Sequence, residues 1–176
     1  IMSFNINGSL DNLLGKYLND KVKTKEDALN GAKYIIAEWI SDNPYYRKQI
    51  RYLTYHNGVL SSKKVKNQED ELKLYEMYYD FKENIKSIKL YRVLAVNRGE
   101  KEGVLKVNID LDEKIILDYL YSKVIKNSNN IELVNVVKDA INDSYKRLIS
   151  PSIERELRAE LKEKAEIVAI SNFSEN

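Results

Sequence analysis

Cations interleaved with aromatic rings are the residues of this chain whose types and spacing suit a chemistry. Arg47, Lys48 and Arg51 fall within about one helical turn, with Tyr45, Tyr46, Tyr52 and Tyr55 between and beside them, and Lys63, Lys64 and Lys66 follow in a non-helical stretch. Nucleic-acid phosphates need cations on one face, and aromatic rings stack on unpaired bases. The competing reading makes the tyrosines core or interface groups and the lysines a solvated surface. Arg92 and Arg98 form a second candidate cation site, although Arg98 at a turn could equally bond helix C-terminal carbonyls.

Catalytic groups are scarce. His56 is the single histidine and the chain has no cysteine, so a zinc site of several N or S ligands cannot be assembled. His56 beside Tyr55 reads as a helix-capping or surface group. Glu69, Asp70 and Glu71 are consecutive, and consecutive helical residues point in different directions, while the first turn of a helix favours acids anyway. Asp110 and Asp112 alternate on one strand face with no third ligand near them. Gly99 and Gly103 bracket Glu100-Lys101-Glu102, unlike a phosphate loop or a dinucleotide fingerprint. The expected site therefore has no catalytic residue, no metal and no cofactor.

Those candidates have to be positioned by elements legible from periodicity. Leu10, Leu13, Leu14, Tyr17 and Leu18 stripe a short first helix ended by Asn19-Asp20. Thr24 with Asp27 opens a second helix, in which Ala28, Ala32, Ile35, Ile36, Trp39 and Ile40 give one broad buried face. Asn43 as N-cap and Pro44 at the first helical position start a third, closed by Gly58. The connection at Ser41-Asp42-Asn43 is so short that these two helices are expected to form a tight hairpin or corner at the heart of the fold. Residues 59–66 read as extended, 68–81 as helix with Leu72, Tyr75 and Tyr79 on one face, and 85–97 as helix. Residues 104–111 are the clearest strand, expected to pair with 59–66 or with 93–97 folded back across Arg98-Gly99. Helices follow over 112–126 and 131–149, with the loop Asn127-Ser128-Asn129-Asn130 between them. Ser150 and Pro151 cap a long final helix carrying Ile153, Leu157, Leu161 and Ala165, with Glu154-Arg158 and Glu160-Lys164 as pairs four apart. The fold class is mostly α: a multi-helical domain with short helical hairpins, one small β element and a long C-terminal helix. Its segments are expected at 1–58, 59–111 and 112–176.

Composition bounds the function. With 43% hydrophobic and 32% charged residues the chain reads as globular. Its net charge of +2 gives no general pull toward nucleic acid or membrane, so any basic footprint is local. No apolar run approaches the roughly 20 residues of a membrane span. Absent cysteine fits a reducing compartment, and the cytoplasm is the expected location, with no membrane partner. Ile1 ahead of Met2 and a helical pattern running to the end suggest a piece of something longer.

The run RVLAVNRGEKEGVLKV, residues 92–107, passes from helical spacing to strand alternation through a basic, glycine-flanked turn. It resembles the N-terminal region of the bacterial Tex family of transcription accessory proteins. ALNGAKYIIAEWISDNPYYRKQIR (28–51), NGVLSSKKVK (57–66) with YYDFKE (78–83), and SYKRLISPSIERELRAELKEKAE (144–166) match the same family at collinear positions. The resemblance implies a full-length protein that binds RNA or DNA and works with the transcription machinery. It also implies a RuvC-like nuclease-fold domain, helix-hairpin-helix repeats and an S1 RNA-binding domain beyond residue 176. This piece would be helical scaffold with an auxiliary nucleic-acid surface at Arg47, Lys48, Arg51, Lys63, Lys64, Lys66, Arg92 and Arg98. Two alternatives stand beside it: a protein-interaction module, for which 13 tyrosines supply amphipathic surface, and the non-catalytic part of a nuclease-fold enzyme.

Overall fold

A computed structural model describes residues 1–4, 9–126 and 128–174. The chain divides into two compact units, Ile1–Gln49 with Glu113–Pro151 and Ile50–Asp112 with Ser152–Asn176. Most of the chain is helical, as the periodicity predicts. No described helix is long and apolar enough to cross a membrane.

The first unit is built from α1 (Leu10–Gly15), α2 (Lys25–Asp42), the start of α3 (Pro44–Asn57), α5 (Glu113–Val124), α6 (Ile131–Asp143) and a π-helical segment, Ser144–Ile149. Thr24 and Asp27 form the expected capping box, each side chain accepting from the other's backbone amide. Asn43 Oδ1 accepts from the amides of Tyr45 and Tyr46, so it caps α3 ahead of Pro44 as expected. α2 packs against α6, the π-helical segment and α1, and α3 is not among its main partners, so of the two expected arrangements the hairpin is not formed. Ile36, Ala37, Ile40 and Ser41 are its buried residues, whereas Ile35 and Trp39, expected in that face, are exposed. Ser144, fully buried, donates its hydroxyl to the Ala37 carbonyl at 2.7 Å and fixes the contact. Of the loop expected at 127–130, Asn127 lies outside the described residues, and Asn130 caps α6 through the Leu133 amide.

Ser150 and Pro151 do not begin a separate helix. The chain passes from α6 through the π-helical turn into α7 (Ser150–Ser174) without a break. Proline lacks an amide proton and its ring crowds the carbonyl four residues back. The wide turn avoids both problems: the Ser150 amide bonds the Tyr145 carbonyl, five residues back, and the helix absorbs Pro151.

The second unit holds a three-stranded antiparallel sheet of order β2-β1-β3, formed by β1 (Val59–Lys64), β2 (Asp80–Asn84) and β3 (Leu105–Asp110). Pairing of β3 with β1 is the first of the two expected alternatives. The hairpin alternative fails because α4 (Leu90–Lys101) runs straight through Arg98-Gly99. Gly99 is there for close approach, since a Cβ would stand 2.6 Å from the buried Leu105 Cδ1. The helix ends instead at Gly103, whose φ of 78° closes the turn. Ile153, Leu157, Leu161 and Ala165 of α7 are buried as their spacing predicts.

The helix expected over 68–81 is absent apart from a 3-10 turn at Glu76–Tyr78, and β2 was not foreseen. Asp70 is the reason. Its carboxylate accepts from the Leu74 amide at 3.0 Å, the Tyr75 amide at 2.9 Å and the Tyr79 hydroxyl at 2.9 Å, which offers the backbone an alternative to helical bonding. Asn67 and Lys73 take left-handed φ values of 61° and 50° around it. The next helix likewise starts at Leu90, not at 85, because the Asn84 side chain and carbonyl hold the amides of Lys86, Ser87 and Ile88 in a turn.

Burial alone would push the Asp70 carboxyl up, but the Tyr75 amide, the Tyr79 hydroxyl and the Leu74 amide hold it below its ordinary value. A carboxyl depressed in the folded state stabilises above its unfolded pKa, and the contribution fades as pH falls through the folded value. Asp70→Ala is therefore expected to melt at a lower temperature than the native chain at pH 7, by a deficit that narrows once the pH is brought below the ordinary aspartate value of about 3.9. An equal deficit at pH 7 and below that value would show that the three bonds do not depend on the charge.

Candidate nucleic-acid interface

The eight cations of interest separate by unit and by partner. Arg47, half-buried, and Lys48, exposed, lie on the part of α3 that belongs to the first unit. Arg51, one turn later, belongs to the second unit and pairs with Glu160 of α7. The other Glu160 oxygen takes Lys164 at 2.7 Å, and Lys164 sits 5.9 Å from the Tyr55 ring centroid. Hydrogen bonding from Lys164, reinforced by Arg51, holds the Glu160 carboxyl below its usual range. A phosphate approaching Arg51 would compete with a carboxylate already seated.

Arg92 and Arg98 are committed in the same way. Arg92 bonds Glu83 at 2.6 Å and the Tyr91 hydroxyl at 3.2 Å, with Phe81 6.0 Å beneath it. Arg98 is bound at 3.0 Å to Glu102, whose other oxygen accepts from the Tyr75 hydroxyl at 2.8 Å. Lys64 lies 4.7 Å over the Tyr79 ring. His56 turns Nδ1 to the Tyr52 carbonyl at 2.9 Å, its ring 4.0 Å from that of Tyr52, which is the capping role expected of it. Asp110, exposed at the end of β3, forms no metal cluster, and none of three or more His, Asp or Glu exists among the described residues.

Lys63 and Lys66 are exposed, and Lys63 has company that periodicity did not supply. In the sheet register Lys63 stands opposite Lys106 of β3, while Ser61, two residues away on the same face, stands opposite Lys82 of β2 and Asn108 of β3. Directly opposed residues, and residues two apart on one strand, share a face. Lys63, Lys82 and Lys106 therefore form a triangle around Ser61, which is 4% exposed. All three lysines are exposed, and none makes an ion pair among the described residues. The face also carries Asp80 opposite Lys63 and Asp110 opposite Val59, at its two ends.

Two lysines directly opposed across a strand pair repel at a cost to folding. Asp80 stands opposite Lys63 on β2, but neither lysine forms an ion pair among the described residues, which leaves cations ready for an anion from outside. The opposite face is apolar: Leu60, Leu105 and Val107 are buried there, with α4 packed against β3. Lys106 could have been found from the alternation in residues 104–111, whose polar positions are Lys106, Asn108 and Asp110. Lys82 could not, because residues 68–81 read as helix and left no strand to place it on.

A second device fixes this sheet. β3 is an edge strand, and α7 covers its outer edge: the Ile109 amide donates to Glu154 Oε1 at 3.0 Å and Arg158 Nη1 donates to the Val107 carbonyl at 3.3 Å. Glu154 and Arg158, expected as a pair along the helix, instead serve the strand, and Arg158 takes Glu100 of α4 as its ion partner. The expected Glu160–Lys164 pair does form.

The model of a family described as Tex central region-like matches residues 9–173. An uncharacterized protein of Bacillus subtilis, YdcI, is 48% identical over 92% of this chain and 23% of its own length. The S1 RNA-binding domain-containing protein 1 of Pongo abelii is 32% identical over 91% of this chain and 18% of its own length. A protein of Neisseria gonorrhoeae named transcriptional accessory protein Tex is 26% identical over 91% of the chain and 22% of its own length. The chain thus spans about a quarter or less of these relatives.

Proposed function

Because the chain belongs to the Tex central region-like family, we propose that it serves as helical scaffold within a transcription accessory protein that binds nucleic acid. In this reading it adds an auxiliary, sequence-independent contact to phosphates. The observation that carries the reading is the exposed sheet face on which Lys63, Lys82 and Lys106 converge with no ion pair among the described residues. Lys66, exposed just beyond β1, extends the same contact, and Arg47 and Lys48 add a separate one on the first unit. One relative carries the name of an RNA-binding domain and another that of a transcriptional accessory protein, which supports the same direction.

No ring stands on the lysine face, so bases gain no stacking there and binding follows the phosphate charge alone. Charge reversal at all three positions, Lys63→Glu with Lys82→Glu and Lys106→Glu, is expected to weaken binding of labelled single-stranded RNA at least tenfold at low salt. The thermal midpoint should stay within a few degrees of the native chain, because the side chains are exposed. Undiminished binding would remove the sheet face from the interface.

A second reading, docking of a protein partner, is favoured by the apolar surface of the first unit. A cleft of about 600 Å³ lined by Leu13, Leu14, Tyr17, Val22, Ala32 and Ile36 opens beside Ile35 and Trp39, which are 51% and 63% exposed. Exposed aromatic and aliphatic groups around a cleft are the usual anchors of an interface. A chain that binds no RNA even at low salt would leave this reading in place and remove the first.

A further inference from the structure

Between α4 and α7 of the second unit runs a groove of about 600 Å³ that the nucleic-acid reading does not use. Its lining includes the half-buried Leu94 of α4 and the exposed Ala159 of α7, together with five cations and two carboxylates. The charges are unequally spent. Arg158 is bound to Glu100, and Lys162 reaches Glu166 only at 3.7 Å. Lys101 on the α4 wall and Arg155 on the α7 wall are exposed and have no ion pair among the described residues. One cation without an ion pair among the described residues therefore stands on each of the two helices that line the groove.

We propose that this groove binds an acidic peptide segment of a partner protein, with one aliphatic side chain seated on Leu94 and Ala159 and flanking carboxylates at Lys101 and Arg155. The charge complement selects an anionic occupant. Leu94 and Ala159 in the lining select peptide over a bare phosphate backbone, because an apolar anchor seated among charged groups is how helical grooves read peptides. Arg158 contributes rigidity, since its guanidinium also bonds Asn97 of α4 at 3.3 Å and ties the two walls together. The inference stands on residues separate from the lysine face and does not rest on it.

The test uses the whole chain and a labelled synthetic peptide of about a dozen residues, Asp and Glu around a central leucine, followed by fluorescence anisotropy. Binding at low ionic strength is expected, weakened at least tenfold by Lys101→Glu with Arg155→Glu and by replacing the peptide's leucine with serine. The triple reversal at Lys63, Lys82 and Lys106 should leave it within twofold. Absence of binding, or equal binding by the groove variant, would overturn the proposal. So would insensitivity to the leucine, which would reduce the groove to a diffuse cation cluster. Loss of single-stranded RNA binding on Lys101→Glu with Arg155→Glu, with the sheet lysines intact, would reassign the groove to nucleic acid.

Discussion

Replacing Gly58 by alanine is expected to destabilise the chain by about 2–3 kcal/mol, near the upper end of the cost of forcing extra volume into a packed site. Gly58 ends α3 and leads into β1, its amide bonded to the Thr54 carbonyl at 2.7 Å. A Cβ at this position would collide with that carbonyl oxygen and meet Ile109 Cγ2 at 3.0 Å and Ile85 Cδ1 at 3.3 Å. The carbonyl is backbone and the Ile85 side chain is buried, so the strand start would have to move. Gly31 is the internal control: it lies inside α2 with open space where a Cβ would stand, and Gly31→Ala should stabilise by about 0.5–1 kcal/mol from helix propensity. Urea unfolding of the two variants measures both. Similar midpoints for Gly58→Ala and the native chain would mean that β1 is not tied to the end of α3 as described.

Arg158→Ala is expected to cost about 2–3 kcal/mol, more than an exposed ion pair, which is worth about 0–1 kcal/mol. The side chain is only 23% exposed and has three engagements: Glu100, the Asn97 side chain and the Val107 carbonyl. Its removal leaves Glu100 without its ion partner and opens the outer edge of β3, so the variant should also self-associate more readily. Glu100→Gln added to Arg158→Ala should recover part of the loss, because the stranded charge is gone. A double-mutant cycle by chemical unfolding gives the coupling. Strictly additive effects would show that Arg158 and Glu100 do not act as a pair.

What was legible in the sequence follows what acts locally. The capping box at Thr24, the Asn43 cap with Pro44, the apolar stripe of α7 and the alternation of β3 depend on neighbours within a few residues, and all are found. The misses come from contacts between distant residues or from side chains that override propensity. Asp70 captures the amides that a helix over 68–81 would have used. Gly99, read as a helix breaker, is a packing surface for Leu105 and Tyr75. Pro151, read as a helix start, sits in a continuous helix because a π turn precedes it.

The same division holds for the interface. Lys63 was visible as one of a basic run, but Lys64, its neighbour, points to the other face and onto Tyr79. Arg51, Arg92 and Arg98 look available in a one-dimensional list and are each held by a glutamate that only the fold brings near, or, for Arg98, by Glu102 one turn on. Lys82 and Lys106 join Lys63 through strand register, which no local spacing encodes.

The measurement that bears most directly on the central claim is the salt dependence of single-stranded RNA binding by the chain and by its triple variant, Lys63→Ala with Lys82→Ala and Lys106→Ala. Each phosphate neutralised on a single strand contributes about −0.7 to the slope of log affinity on log salt, so three lysines account for about −2. The native chain should show a slope at least that steep, and the triple variant should bind more weakly with a slope shallower by about 2. Equal slopes and affinities for the two proteins, or no binding by the native chain at low salt, would contradict the claim that this sheet face contacts phosphates.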